Sequence, residues 1–216
     1  MDPFRSGVAI LPLAFYGLLL GWINLRRRPY LMGGLKDRSL LGLAVMGIVL
    51  VGPMELFMPE AAVTRFGAYV WILLISFYLL CLSLVVLLSR HRLVIYNATL
   101  EQLRPTLSRL AQSLDSEARW AGDGLALPRL GVQLHVDAFP ALRNVSLVAT
   151  GDQQRFEGWI QLELELQRLL KECEVRPNPQ GAAFVGVSLL LALACVLQMV
   201  ASPHELAQGF RDMLRL

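Results

Sequence analysis

Residues 25–29 read Leu-Arg-Arg-Arg-Pro, and they separate two long runs of uncharged, mostly apolar residues. Lys36 and Arg38 follow before the second run begins. Short loops rich in arginine and lysine stay on the cytoplasmic side of a membrane. The cluster Arg26-Arg27-Arg28 therefore predicts a membrane protein whose first loop is cytoplasmic and whose N-terminus lies outside.

The composition agrees with this interpretation. Of the 216 residues, 55% are hydrophobic and 17% are charged, whereas soluble domains carry about 25% charged residues. The formal net charge is +3. Basic residues, including Arg90 and Arg92, cluster at the ends of apolar runs, which favours contact with anionic lipid headgroups over nucleic acid. We expect membrane lipids as partners and no nucleic acid.

Four apolar runs have the length that a membrane-spanning helix needs, about 17–25 residues. Residues 1–90 are expected to hold three transmembrane helices, at about 8–24, 40–58 and 68–89. Residues 177–201 are expected to form a linker and the fourth. The basic clusters then fall on one side, which puts both termini outside and residues 91–176 in the cytoplasm. We expect a bacterial inner membrane.

Residues 91–176 show the alternation of a folded domain. Leu93–Tyr96, Val132–Val136 and Val145–Ala149 have strand patterns, and residues 118–122 and 125–127 are candidates for a short hairpin. Leucines at helical spacing follow Thr99, and a long helix is expected over Gln153–Cys173 after a cap at Asp152. The predicted fold is a polytopic α-helical membrane protein of four transmembrane helices with an inserted small α+β cytoplasmic domain, in the order β-α-β-β-β-α.

The last segment, residues 202–216, has the pattern of an amphipathic helix. Ser202 is followed by Pro203 and Glu205, which is typical of a helix start. Leu206, Phe210 and Met213 then share one face. We expect this helix to lie flat on the outer membrane interface.

Small residues mark candidate contacts between the transmembrane helices, because they let two backbones approach closely. Gly17 with Gly21 forms a G-x-x-x-G pattern, and Ala182 with Gly186 forms a similar pair. The second span carries a glycine track. Its members are Gly42, Gly47 and Gly52.

Few residues suggest chemistry. Glu55 is a carboxylate near the end of the second span, where a role in ion or proton handling competes with simple contact with water. His135 and Asp137 share the outward face of one strand, but two ligands do not make a metal site. We predict no catalytic residues, no metal and no cofactor, and the pattern leans towards a protein that is not an enzyme.

These features favour an accessory, assembly or anchoring subunit of a larger membrane protein complex. The domain at 91–176 would be the contact module, the helix Gln153–Cys173 its docking element, and other membrane subunits its partners. Two alternatives stay open. One is a transport or channel component that uses Glu55 in an oligomer, and the other is a membrane-bound enzyme that acts on lipid through His135 and Asp137.

Overall fold

The computed structural model describes residues 2–58, 64–152 and 154–214 of the chain. The chain divides into two compact units. The helical unit is drawn from Met1–Gly21, Arg38–Leu88 and Ala183–Leu216. The sheet unit is drawn from Trp22–Asp37 and Ser89–Ala182, so it includes the connection between the first two long helices.

The chain forms seven longer helices and six strands within its described residues. The longer helices are α1 (Pro3–Leu25), α2 (Gly34–Val49, extended by a π-helical segment at Leu50–Met54), α3 (Tyr69–Leu87), α4 (Leu100–Leu114), α5 (Phe156–Glu172), α6 (Pro179–Ala201) and α7 (Pro203–Leu214). The strands are β1 (Tyr30–Gly33), β2 (Arg92–Tyr96), β3 (Arg119–Ala121), β4 (Gly124–Leu127), β5 (Val132–Phe139) and β6 (Asn144–Ala149).

Helices α1, α2, α3 and α6 are long enough and apolar enough to cross a membrane. This confirms the four long apolar helices predicted from the sequence. Many of their large side chains are exposed, among them Phe77 at 63% and Leu190 at 67%. A helix that is apolar on all sides is stable in this state only in a lipid or protein environment.

Two of these helices begin earlier than hydropathy predicts. Helix α1 begins at Pro3, because Asp2 Oδ1 accepts a hydrogen bond from the backbone N of Phe4 at 2.9 Å and proline suits the first helical position. Helix α2 begins at Gly34. Lys36 and Arg38 therefore lie in its first turns and not in a loop.

The tail helix α7 packs onto the helical unit. Trp71 Nε1 donates a hydrogen bond to the carbonyl oxygen of Met213 at 2.7 Å. The rings of Phe4 and Phe210 meet edge to face, with centroids 5.3 Å apart. Helix α7 thus joins residues near the starts of α1 and α3.

The sheet unit is built on a six-stranded sheet in the order β1-β2-β6-β5-β4-β3, and every neighbouring pair is antiparallel. Alternate strand residues share one core with α4 and α5. A capping box at Thr99 and Gln102 starts α4. The largest side chains of this core that are less than 2% exposed are those of Ile95, Leu103, Leu107, Leu127, Val132, Leu134, Val145, Leu147, Leu162 and Leu166.

The predicted strand order needs correction. Between Arg92 and Glu172 the order is β-α-β-β-β-β-α, because the candidate hairpin at 118–127 forms β3 and β4. The sheet also gains β1 from the connection between α1 and α2, where Leu31 pairs with Ile95. The four residues Tyr30–Gly33 are too few to show a period in the sequence, and they become a strand because they pair with the open edge of β2.

Candidate functional site

Helix α5 buries one side in the sheet core and exposes an apolar stripe on the other. Phe156, Ile160 and Leu164 are 63%, 42% and 52% exposed. Their spacing of four places them one above another on a single face. We call these three residues the α5 ridge. The predicted docking helix, Gln153–Cys173, corresponds to this element, although Gln153 lies outside the described residues.

The start of this helix differs from the prediction. Arg155, not Asp152, occupies the N-cap position, and the first helical residue is Phe156. The ring of Phe156 meets the imidazole of His91 edge to face, with centroids 5.5 Å apart. Because His91 directly precedes β2, this contact ties the start of the α5 ridge to the first strand of the inserted domain.

Acidic residues border the α5 ridge. Helical geometry places Glu157 on one side of it and Glu163 on the other. Helix α5 carries four glutamates against Arg168 and Lys171, and Arg168 is paired with Glu165 at 2.6 Å. An exposed apolar patch with a polar border is typical of a surface that another protein covers.

Hydrogen bonds join two chain segments that flank α1 and α6. The backbone N of Val175 donates to the carbonyl oxygen of Arg27 at 2.8 Å, and that of Asn178 donates to Asn24 at 2.9 Å. The amide side chains of Asn178 and Asn24 also meet, at 3.2 Å, and both residues are buried. We call residues 24–28 and 175–178 the junction.

One end of the sheet is tied to the junction. Asn97 is fully buried, and its Nδ2 donates to the carbonyl oxygen of Arg26 at 2.7 Å. Arg143 Nη1 donates to the carbonyl oxygen of Arg176 at 3.1 Å. Asn97 and Arg143 both have left-handed backbones, with φ of 57° and 50°, and the backbone N of Ala98 donates to the carbonyl oxygen of Arg143.

The sequence did not predict the contacts that Asn97 and Arg143 make with the junction. A signal for Asn97 exists, since asparagine between a strand and a helix cap is a frequent turn residue that tolerates the left-handed conformation. Arg143 offers no comparable signal. Its role depends on the alignment of β2 with β6, which only the folded sheet determines.

The basic residues predicted to contact lipid headgroups lie in different elements of the structure. The side chains of Arg26, Arg27 and Arg28 are exposed, and the Arg26 guanidinium lies over the rings of Trp22 and Tyr30, 5.0 Å and 5.6 Å from their centroids. Arg92 Nη2 donates to Ser146 Oγ at 2.8 Å. The remaining members are Lys36 and Arg38 in α2 and Arg90 just before β2.

Glu55 has a counter-ion within the helical unit. Arg5 Nε lies 2.9 Å and 3.0 Å from the two carboxylate oxygens of Glu55, and Arg5 Nη1 lies 2.8 Å from Asp2 Oδ2. The side chains of Asp2, Arg5 and Glu55 are 18%, 31% and 24% exposed. Such a paired, half-buried carboxylate can stabilise helix packing. A transport role for Glu55 stays a prediction.

His135 and Asp137 lie together on the outward face of β5. His135 Nε2 is 3.3 Å from Asp137 Oδ1, and the side chains are 46% and 62% exposed. Ser146 lies opposite Asp137 in β6, but it is buried and its Oγ accepts from Arg92. A lipid-acting enzyme would therefore have a solvent-exposed His–Asp pair here, but Ser146 beside it is not accessible to a substrate.

The candidate packing glycines divide into two groups. A Cβ at Gly17, Gly42 or Gly47 would overlap Ser188, Leu82 or the backbone of Val8. These three glycines therefore lie at close helix contacts. A Cβ at Gly52 or Gly186 would meet nothing within 4 Å. Of the other two candidates, Gly21 is buried and Ala182 is exposed.

Within residues 2–58, 64–152 and 154–214, no group of three or more His, Cys, Asp or Glu side chains is placed to hold a metal ion. Comparison of the chain with protein-family models, with curated proteins and with solved structures finds no match.

Proposed function

We propose that this chain is an integral membrane protein with four transmembrane helices that serves as an accessory, assembly or anchoring subunit of a larger membrane protein complex. The sheet unit is its contact module. The α5 ridge carries the proposal, because it exposes three large apolar side chains on a helix whose opposite side is buried. Covering such a ridge with a partner removes apolar surface from water, which is favourable.

Contacts inside the sheet unit support the proposed topology. Strand β1 lies between α1 and α2, strand β2 follows α3, and the two pair along their length. The connection between α1 and α2 and the residues after α3 must then lie on the same side of any membrane that these helices cross.

Contacts inside the helical unit support the same topology, because they join the start of α1, the end of α2, the start of α3 and the tail helix α7. Arg5 near the start of α1 pairs with Glu55 just after α2, and Trp71 near the start of α3 bonds to Met213 of α7. A chain that crosses four times and has both termini outside brings these ends together. The arginine cluster then argues for residues 91–176 in the cytoplasm.

The border of the α5 ridge favours one kind of partner. Glu157 and Glu163 repel an acidic surface and attract a basic one. We infer that the partner is a helix of another membrane subunit, with an apolar stripe bordered by lysine or arginine. Pairing two apolar helix faces with opposite border charges fixes both the contact and its register.

The experiment is native mass spectrometry of the chain after gentle extraction from its own membrane. We expect a complex of fixed stoichiometry with another membrane protein. Exchanging Ile160 and Leu164 for serine should release that partner. The control Gln161→Ser, which alters an exposed polar position of the same helix, should retain it. A chain that is always monomeric, or a complex unaffected by the double exchange, would overturn the proposal.

A further inference from the structure

We propose that the junction, together with Arg143, binds the phosphate headgroup of an anionic phospholipid. The binding groups are five arginine side chains, namely Arg26, Arg27, Arg28, Arg143 and Arg176. The proposal rests on the proposed placement of α1 and α6 in a membrane. It adds Arg143 and Arg176, which come from distant parts of the sequence, to the basic cluster at the end of α1.

Hydrogen bonds between backbone and side-chain groups bring the five residues together. The Arg27 carbonyl is bonded to Val175, the direct neighbour of Arg176. The Arg26 carbonyl is bonded to Asn97, and Arg143 reaches the Arg176 carbonyl. Each bond fixes two segments within about 3 Å at the bonded atoms. The backbones of Arg26, Arg27 and Arg176 and the guanidinium group of Arg143 therefore lie in one region of the sheet unit, and Arg28 directly follows Arg27. We call this region, with its five arginines, the patch.

The charge of this patch is unbalanced. None of the five arginines forms an ion pair with another described residue, whereas Arg5, Arg129 and Arg168 do. The junction segments contain no Asp or Glu, and Glu174 directly precedes the second of them. Five like charges at short range repel one another. A bound phosphate relieves this repulsion, and guanidinium groups bind phosphate through paired hydrogen bonds.

The position of the patch along the chain favours a lipid over nucleic acid. Arg26 directly follows α1, and Arg176 precedes the first residue of α6 by three, so both lie within about 11 Å of the end of an apolar helix. Trp22 is 61% exposed and its ring lies against the Arg26 guanidinium. Tryptophan beside arginine at a helix end is typical of the headgroup layer.

The test uses the full chain purified in detergent and titrated with phosphatidylglycerol or phosphatidylcholine, with bound lipid counted by native mass spectrometry. We expect selective binding of phosphatidylglycerol. The double variant R28Q/R176Q changes two exposed side chains. It should bind phosphatidylglycerol roughly 30-fold more weakly, because each lost charge weakens binding about fivefold. The control R109Q/R119Q removes the same charge from exposed positions of α4 and β3 and should bind normally.

Three outcomes would overturn the proposal. Equal phosphatidylglycerol binding by both double variants would show that the patch is not the site. Full competition by inorganic phosphate at equal concentration would assign the patch to a free anion. Tighter binding of a short oligonucleotide, sensitive to R28Q/R176Q, would assign it to nucleic acid.

A separate measurement distinguishes this failure from failure of the proposed function. Impermeant thiol labelling of an Asp123→Cys variant in intact cells reports on which side of the membrane the sheet unit lies. If the introduced cysteine is protected from the reagent but the chain binds phosphatidylglycerol and phosphatidylcholine equally, only the lipid site is overturned. Labelling from outside would overturn the membrane placement on which both proposals depend.

Discussion

Asn97 combines a backbone conformation that most residues avoid with a side chain that is fully buried. Its Nδ2 bonds to the Arg26 carbonyl, which lies far away in the sequence. Asparagine is one of the few residues that adopt the left-handed conformation at low cost. This single residue therefore both reverses the chain after β2 and holds the arginine cluster against the sheet.

Two substitutions at Asn97 separate these roles. Asn97→Ala should lower the free energy of unfolding by about 2–3 kcal/mol, because it loses a buried hydrogen bond and strains the backbone. Asn97→Gly loses the bond but adopts the same φ freely, so we expect about 1 kcal/mol less destabilisation than in the alanine variant. Denaturant unfolding followed by circular dichroism measures both. A glycine variant as unstable as the alanine variant would contradict the backbone role.

The ion pair between Arg5 and Glu55 gives a second test at this scale. A double-mutant cycle with R5Q and E55Q should show a coupling free energy of about 1–3 kcal/mol, since both side chains are partly buried. The exposed pair Arg129–Glu117, whose side chains are 63% and 52% exposed, is the control and should show about 0–1 kcal/mol. Unfolding in mixed detergent micelles measures both cycles, and equal coupling in the two would contradict a packing role for Glu55.

Among the elements, α1 and α2 come into direct contact at a glycine. A Cβ on Gly47 would overlap the carbonyl oxygen of Val8, which is backbone and cannot turn away. The contact is possible only because position 47 lacks a side chain. Glycine at such a crossing lets the two helices approach closely, as it does in membrane helix pairs.

This contact predicts opposite results at two glycines. Gly47→Ala should destabilise the helical unit by about 1–3 kcal/mol through overpacking. Gly186→Ala, where a Cβ would meet nothing within 4 Å, should be neutral or slightly stabilising, because alanine favours helix. Thermal unfolding of the two variants in the same detergent compares them. Equal loss in both would show that the Gly47 contact does not form.

The sequence predicts long elements of this fold far better than short ones. Hydropathy predicts α1, α2, α3 and α6 because each repeats one signal over many residues. Strand β1 has four residues and no period, and its existence depends on pairing with β2. The junction cannot be predicted from the sequence for the same reason, since the hydrogen bond from Val175 to Arg27 joins distant parts of the chain that no local pattern relates.

The exposed face of α5 is predicted from the sequence less well than the long helices but better than the short strand β1. The leucine spacing of the sequence predicts which side is buried, and the core confirms Leu162 and Leu166 there. The α5 ridge consists of Phe156, Ile160 and Leu164, which are spaced by four but were not predicted from the sequence as an exposed face. Only the folded structure shows which apolar side chains of α5 are buried in the core and which stay exposed to solvent.

At the scale of the whole molecule, the two units are not consecutive along the chain. Helices α1, α2 and α6 each contribute residues to both units. The sheet unit is therefore tethered at several helix ends and not by a single linker.

The proposed topology predicts a clear labelling pattern in a variant without the native cysteines. A cysteine at Asp123, in the exposed turn between β3 and β4, should resist an impermeant thiol reagent in intact cells and react after lysis. A cysteine at Gln208, an exposed position of α7, should react in intact cells. We expect these opposite results because an even number of crossings leaves both termini on the side away from the sheet unit. Identical behaviour of the two would contradict the four-span arrangement.

Strand β1 also has a consequence for biosynthesis. It leaves the ribosome before β2 exists, and β2 in turn is made before β6. In the proposed topology, the first two helices are inserted into the membrane before β1 has a strand to pair with. A recombinant fragment that starts at residue 91 exposes the unpaired edge of β2, which favours aggregation. A soluble version of the sheet unit for crystallisation should graft Tyr30–Gly33 back onto that edge.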